Sequence, residues 1–158
     1  MTGRTIRTFA RDEGGAVAAT YALALIGLVA IGGVAFDYGR LMAMDSELQN
    51  AADQAALAAA TQLDGSANSI NRAVARASDL VSNITAISND GDPAAGTVAT
   101  VVFFRTRADA EAGTNSFTDN SLSANARYTR VTVGGRQVFY AFTPVVDLMS
   151  SPDISAMA

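Results

Sequence analysis

Charged residues are scattered along most of the chain, but one run near the N-terminus carries no charge. Residues 14–36 are 23 uncharged residues, and nine of them are Leu, Ile, Val or Phe. A helix of this length extends roughly 35 Å, more than the roughly 30 Å core of a bilayer. The large apolar side chains together favour insertion by roughly 3–5 kcal/mol. The run therefore predicts a transmembrane helix over residues 14–36.

Two other interpretations of this run stay open. A helix buried in a soluble core can also be apolar. A secretory signal peptide ends in small residues, and Gly33–Ala35 would allow cleavage before Phe36. However, the run is longer than the apolar region of about 7–15 residues that such signals usually carry. Cleavage there would leave a secreted periplasmic binding protein without an anchor.

The helical pattern continues beyond the apolar run, because no Pro occurs before Pro93. Apolar residues keep helical spacing along one stripe, at Leu41, Leu48, Ala52, Ala55 and Ala59. We therefore predict one helix from about Ala16 to Leu63, capped by Asp64 and Gly65. Its second half, residues 37–63, would form a stem outside the membrane.

The stem stripe is mostly Ala, which lets neighbouring backbones approach closely. Four polar side chains could hydrogen-bond across such a contact, namely Gln49, Asn50, Asp53 and Gln54. The stripe therefore suits packing against other helices, in the same chain or in a neighbouring subunit. The alternative is an Ala-rich stalk with a solvated polar face, and spacing alone does not separate the two.

Residues 64–158 predict a small domain with helix and sheet. An amphipathic helix is predicted over residues 66–87, with Ile70, Val74, Ala77, Val81 and Ile84 at helical spacing. Residues 89–96 are rich in Asn, Asp, Gly and Pro and predict a loop. Residues 97–104 are β-branched and aromatic, which predicts a strand. Residues 105–125 are polar and predict a long exposed loop.

Further strands are predicted in the last third of the chain. Residues 127–133 alternate, and Gly134–Gly135 predicts a hairpin turn before a strand over residues 136–146. Pro144 would end that strand or mark it as an edge, and residues 151–158 would add a last short strand. The fold class is then α+β, with a long N-terminal helix, a second short helix and a small antiparallel sheet.

The charges on either side of the apolar run predict its orientation. Arg4, Arg7 and Arg11 precede the run, and the positive-inside rule counts such residues while largely ignoring acids. This rule places residues 1–13 in the cytoplasm and residues 37–158 outside, with the lipid bilayer as a partner. The chain is predicted to have four parts: residues 1–13, the span 14–36, the stem 37–63 and a periplasmic α+β domain at 64–158.

The composition argues against most chemistry. The chain has no His and no Cys, which removes the commonest general base, the thiolate nucleophile and the usual soft metal ligands. No phosphate-binding loop is present, and Asp90 and Asp92 lack the further ligands of a calcium loop. No basic patch with interleaved aromatic residues indicates nucleic-acid binding. We therefore expect no enzyme, no cofactor, no metal site and no nucleic-acid partner.

The stretch from Arg11 to Leu63 closely resembles the N-terminal segment of TadE/TadG-like proteins of the Flp (tight-adherence) pilus assembly system. The resembling positions are Gly15, Ala22–Leu25, Asp37–Arg40 and Gln49–Ala58. The helix-packing positions implied by this motif are Asp37, Tyr38, Gly39, Arg40, Gln49, Asn50, Ala52, Asp53 and Ala56. The resemblance implies an inner-membrane protein of the pilus machinery with a pilin-like architecture and a large periplasmic portion. Its partners would be other assembly proteins, pilin subunits or a second copy of the chain.

The resemblance also implies a candidate processing site at Gly15, where a prepilin peptidase would release a product beginning at Ala16. Pilins of this system carry Glu and Tyr as the fifth and sixth residues of that product. Tyr21 fits this pattern, but Thr20 stands where Glu is expected. The departure favours an uncut TadG-like assembly protein, and a processed minor pilin (pseudopilin) is the alternative.

Overall fold

The computed structural model describes residues 13–81, 98–137, 140–142 and 153–158. Its helices are α1 (Glu13–Ala60), α2 (Ser69–Val81), α3 (Arg107–Ala112) and a 3₁₀ helix (Asn120–Asn125). Its strands are β1 (Val98–Phe104), β2 (Tyr128–Gln137) and β3 (Asp153–Met157), in one sheet of order β1-β2-β3. The predicted α+β class is confirmed.

The chain forms two compact units. The first unit comprises Met1–Tyr38 and Tyr140–Met149, and the second comprises Gly39–Phe139 and Ser150–Ala158. The four-part division drawn from the sequence, with boundaries at residues 13, 36 and 63, stays a prediction.

Helix α1 is the continuous long helix that the sequence predicts. It runs over 48 residues and both begins and ends three residues earlier than expected. The predicted cap at Asp64–Gly65 is wrong, because the last turn tightens instead. The amides of Gln62 and Leu63 donate to the carbonyls three residues back at 3.0 and 3.1 Å. Gly65 has φ of 76° and serves the turn that follows the helix.

Helix α2 lies inside the predicted range, and residues 82–87, with Ile84, fall outside the described part of the chain. Its buried face is formed by Ser69, Ile70, Ala73, Ala77 and Val81. Val74 was expected on this face, but its side chain is 38% exposed. The buried stripe runs through Ala73 instead. The predicted loop at 89–96 lies outside the described residues.

The sheet is antiparallel throughout. β1 pairs with β2 from Val98 opposite Val133 to Phe104 opposite Tyr128. β3 pairs with the other edge of β2, and Val131 and Ala158 exchange backbone hydrogen bonds of 2.7 and 2.9 Å. The strands predicted at 97–104, 127–133 and the C-terminal segment are therefore confirmed.

The predicted hairpin at Gly134–Gly135 is wrong, because β2 continues through both glycines to Gln137. The register with β3 shifts between Val133 and Arg136, where β2 contains one more residue than its partner. Glycine is favoured both at a bulge and at a turn. The two glycines therefore mark a bulge in β2 and not a hairpin turn. Of the expected strand 136–146, Tyr140–Phe142 are not in a strand, and residues 138–139 and 143–146 lie outside the described part.

The expectation of a featureless loop over residues 105–125 is also wrong. Thr106 caps α3 by accepting from the amide of Asp109 at 3.1 Å, and Gly113 ends the helix with φ of 67°. Phe117 then pairs with Phe103 through two backbone hydrogen bonds of 3.0 Å. Asp119 begins the 3₁₀ helix by accepting from the amide of Ser121. The segment is therefore fixed by caps and by the edge of the sheet.

One apolar core holds the second unit together. Large side chains from the sheet and α2 fill it, including Phe103, Ile70 and Val131 at 1% exposure or less. The stem half of α1 contributes the stripe Met44, Leu48, Ala52, Ala55 and Ala59 to the same cluster. Because the Ala side chains are small, α1 lies close to this core. Few large side chains are then needed to fill the core.

Candidate functional site

The first half of α1 is apolar on all sides and exposed. Its large side chains are exposed by 44% at Val34 to 73% at Tyr21. A soluble helix normally buries one apolar face, whereas a helix that is apolar all round is suited to a membrane or to a large core. Within the described residues, α1 is the one helix long and apolar enough to cross a membrane, with a mean hydropathy of 2.2 over an 18-residue stretch.

A buried carboxylate lies one residue beyond this apolar run. Asp37 is 1% exposed, and its two oxygens accept hydrogen bonds from the backbone amides of Ala141 at 2.8 Å and Phe142 at 2.9 Å. Hydrogen bonds to an ionised acceptor are stronger than those between neutral groups. Asp37 therefore fixes a segment more than a hundred residues away in sequence against the end of the apolar run.

Two further residues of α1 complete this contact on the same helical face. At Gly33 a Cβ atom would lie 2.5 Å from Cβ of Phe142, so only glycine admits this approach. The rings of Phe36 and Phe142 meet edge to face, with centroids 5.7 Å apart. We name the group formed by Gly33, Phe36, Asp37, Ala141 and Phe142 the Asp37 clasp.

Sequence reasoning selected Asp37 only as a motif position and missed its partner. Residues 136–146 were interpreted as a strand, so Phe142 was assigned to the sheet. The available signal was the charge itself: an Asp placed directly after an apolar run needs hydrogen-bond donors when buried.

The stem half of α1 has two faces with different surroundings. The Ala stripe is buried in the core of its own chain, since Ala52, Ala55 and Ala59 are 0% exposed. The interpretation of the stem as a simple stalk is therefore wrong, and the stripe packs within the same chain. The opposite face carries Asn50, Asp53, Gln54 and Leu57, all exposed, and Leu57 is 70% exposed.

Gln49 joins the stem to the edge of the sheet. Its side-chain amide donates to the carbonyl of Met157 in β3 at 3.3 Å and to Asp53 Oδ1 at 3.1 Å. The carbonyl of Met157 lies at the edge of the sheet that β2 does not cover. Gln49 therefore covers part of an edge that would otherwise be open to pairing.

The remaining motif positions are distributed over both faces of α1. Tyr38 is 60% exposed, Gly39 is exposed, and Arg40 and Ala56 are half-buried. The candidate processing residues Gly15, Ala16, Thr20 and Tyr21 all lie within the helix, and Tyr21 is 73% exposed. Processing at Gly15 stays a prediction.

Polar contacts also fix the turn between α1 and α2. Ser66 donates to Asp64 through its hydroxyl and its amide at 2.7 and 2.9 Å, and Arg72 forms an ion pair with Asp64 at 2.9 Å. These hydrogen bonds from Ser66, followed by the charge of Arg72, lower the pKa of Asp64 from its usual 3.8. The hydroxyl of Thr106 donates to Asp109 Oδ2, and the backbone amide of Ser121 donates to Asp119 Oδ1. These bonds likewise lower the pKa values of Asp109 and Asp119.

An open depression at the sheet surface has little binding chemistry of its own. It is lined by Arg107, Ala110, Glu111, Tyr128, Thr129, Arg130 and Ala158. Arg107 pairs with Glu111 at 2.7 Å, and Arg130 lies over the ring of Phe104 and donates to the carbonyl of Ala110. Among the described residues, no group of three or more Asp or Glu side chains is arranged to hold a metal ion.

Most of helix α1 and the turn that follows it match a known protein family. Residues 15–62 match the model of the Tad family, the TadE/G-like family of Flp pilus assembly. This match covers both the apolar half of α1 and the stem, and it confirms the resemblance found in the sequence. The family is one of pilus assembly proteins and not of enzymes. None of the curated proteins or solved structures compared with the chain matches it.

Proposed function

We propose that this protein is a membrane-anchored structural component of Flp (Tad) pilus assembly that acts through protein packing and not through catalysis. The match of residues 15–62 to the Tad family carries the proposal. The exposed apolar half of α1 supports it, because large apolar side chains on all faces of a helix are stable in lipid. In this function residues 14–36 hold the protein in the bacterial inner membrane.

The proposed orientation places residues 1–13 in the cytoplasm and residues 37–158 in the periplasm. The Arg residues at positions 4, 7 and 11 support it through the positive-inside rule. In this orientation, any contact between the stem and another pilus protein takes place in the periplasm.

The exposed face of the stem is the proposed contact surface for other pilus proteins. Its Ala stripe is already buried in the core, whereas Asn50, Asp53, Gln54 and Leu57 face outward. A large exposed apolar side chain surrounded by amides and a carboxylate is typical of a helix-packing surface with a polar rim. A photo-crosslinking amino acid at Leu57 is expected to capture a pilus protein or a second copy of the chain. The same group at Tyr128, which is 42% exposed on the sheet, is the matched control and should capture nothing.

The test of the anchored function is the mass and N-terminal sequence of the protein recovered from inner-membrane, periplasmic and sheared-filament fractions. An intact N-terminus in the inner membrane supports the anchored assembly protein. A product that begins at Ala16 and enters filaments would instead identify a processed minor pilin. A soluble product that begins at Phe36 would identify a secreted protein without an anchor.

A further inference from the structure

We propose that the Asp37 clasp holds Phe142 in the outer interface of the bilayer, so that the chain contacts lipid at a second place far from the span in sequence. The proposal rests on the proposed membrane anchor. The span alone requires only residues 14–36, whereas the clasp adds the segment Tyr140–Phe142 to the membrane surface.

The first argument is the position of the clasp along α1. Gly33 and Phe36 belong to the last helical turn of the apolar run, and Asp37 follows it directly. At this level a spanning helix leaves the hydrocarbon for the headgroup region. The backbone amides of Ala141 and Phe142 are held at this level by the two oxygens of Asp37. A segment bound to that turn has the same depth in the bilayer as the turn itself.

The second argument is the chemistry of the exposed surface at this turn. Phe36 is 55% exposed, Phe142 is 47% exposed and Tyr38 is 60% exposed. Aromatic rings are favoured at the boundary between hydrocarbon and headgroups, where an apolar ring meets polar surroundings. The exposed apolar side chains of the span begin within the same helical turn, at Val34, which is 44% exposed. Lipid is therefore the partner that matches the surface.

The third argument is that the contact is built for a fixed geometry. Gly33 allows the backbone of α1 to lie directly against the Cβ atom of Phe142. The edge-to-face contact with Phe36 then orients the ring of Phe142. The buried Asp37 carboxylate has its hydrogen bonds satisfied by the segment, so the segment also lowers the cost of placing a charge near the lipid.

The test uses the absence of Trp from the chain, which makes any introduced Trp the sole such reporter. The full-length variant Phe142→Trp is reconstituted in phosphatidylcholine vesicles containing lipids brominated either near the headgroup end or near the methyl end of the acyl chain. The expected result is blue-shifted emission that is quenched more strongly by bromine near the headgroup end. Adding Asp37→Ala is expected to reduce this quenching, because the segment is released from the turn.

Two reference variants separate failure of this inference from failure of the anchor. Leu25→Trp lies in the span and should be quenched most by bromine near the methyl end. Quenching of Leu25→Trp without quenching of Phe142→Trp overturns the lipid contact and leaves the anchor standing, while loss of both overturns the anchor itself. The emission of Tyr128→Trp, in the second unit, should not be quenched by either brominated lipid. Quenching of Tyr128→Trp equal to that of Phe142→Trp would overturn the proposal.

A further Trp variant covers the case in which the larger Trp ring at position 142 disturbs the clasp. If Phe142→Trp lowers the helical circular dichroism of the protein, Ala141→Trp replaces it, since the side chain of Ala141 is exposed and its amide is one of the two bound by Asp37. The same pattern of quenching is expected. Water-like emission from this variant, in a protein whose span reporter is quenched, overturns the proposal.

Discussion

Replacing Ala55 by Leu tests whether the Ala stripe of the stem is a core surface of this chain. The side chain of Ala55 is 0% exposed and belongs to the cluster that contains α2 and the sheet. Leu replaces a methyl group by an isobutyl group where no space is open, and overpacking of this kind costs about 1–3 kcal/mol. For a domain of roughly 100 residues, this corresponds to a fall in Tm of roughly 4–12 °C.

The matched control is Ala43→Leu, because Ala43 lies in the same helix and unit but is exposed. Leu is a good helix former, so this change should alter the free energy of unfolding by only about 0.2 kcal/mol. The assay is thermal unfolding of both full-length variants in detergent micelles, followed by circular dichroism. Equal Tm values for Ala55→Leu and Ala43→Leu would refute the packing of the stripe into the core.

Three further predictions concern the clasp, the core and the turn after α1. Gly33→Ala would place a Cβ atom 2.5 Å from Phe142 Cβ, so the clasp should open and chymotrypsin should cleave the bond after Phe142. The control is Gly32→Ala, where the added Cβ atom has open space, and its digestion pattern should be unchanged. Phe103→Ala removes a ring that is 0% exposed and should lower the free energy of unfolding by about 3–5 kcal/mol. The measurement is urea denaturation, and a loss below about 1 kcal/mol would contradict the place of Phe103 in the core. Asp64→Asn should lower Tm at neutral pH, because the lowered pKa of Asp64 makes its charged form stabilising above the usual value of 3.8. That difference in Tm should disappear as the pH falls through the lowered pKa, and a difference that persists in acid would refute the role of the charge.

The sequence predicts the long helix and the strands well because their patterns have local causes. Uncharged residues over 14–36 and regular Ala spacing in the stem each indicate a helix without reference to the rest of the chain. The β-branched run before Phe104 indicates its strand in the same way. These elements keep the same form in the structure, with shifts of a few residues at the ends of α1.

The errors lie where a local signal has two physical meanings. Gly134 and Gly135 allow either a turn or a bulge, and only the pairing of β2 with β3 decides between them. The polar segment after Phe104 contains the capping pair Thr106 and Asp109, whose spacing indicates a helix start that composition alone concealed.

The clasp could not be derived from the sequence because it joins distant positions. Asp37 is a recognisable polar residue at the end of an apolar run, but the sequence around it does not indicate that a distant segment binds its carboxylate. Those donors come from backbone amides of Ala141 and Phe142, which any residue other than Pro could provide. Side-chain identity at 141 and 142 therefore carries no signal of the hydrogen bonds.

The most direct test of the account is the accessibility of single cysteines on the two sides of the proposed anchor. The chain has no Cys, so Thr5→Cys and Asn50→Cys each introduce a unique thiol before and after the span. A membrane-impermeant maleimide applied to intact spheroplasts is predicted to label Asn50→Cys at once and Thr5→Cys only after the inner membrane is opened. Labelling of both thiols before lysis, or of Thr5→Cys alone, would contradict a single span with its stem in the periplasm.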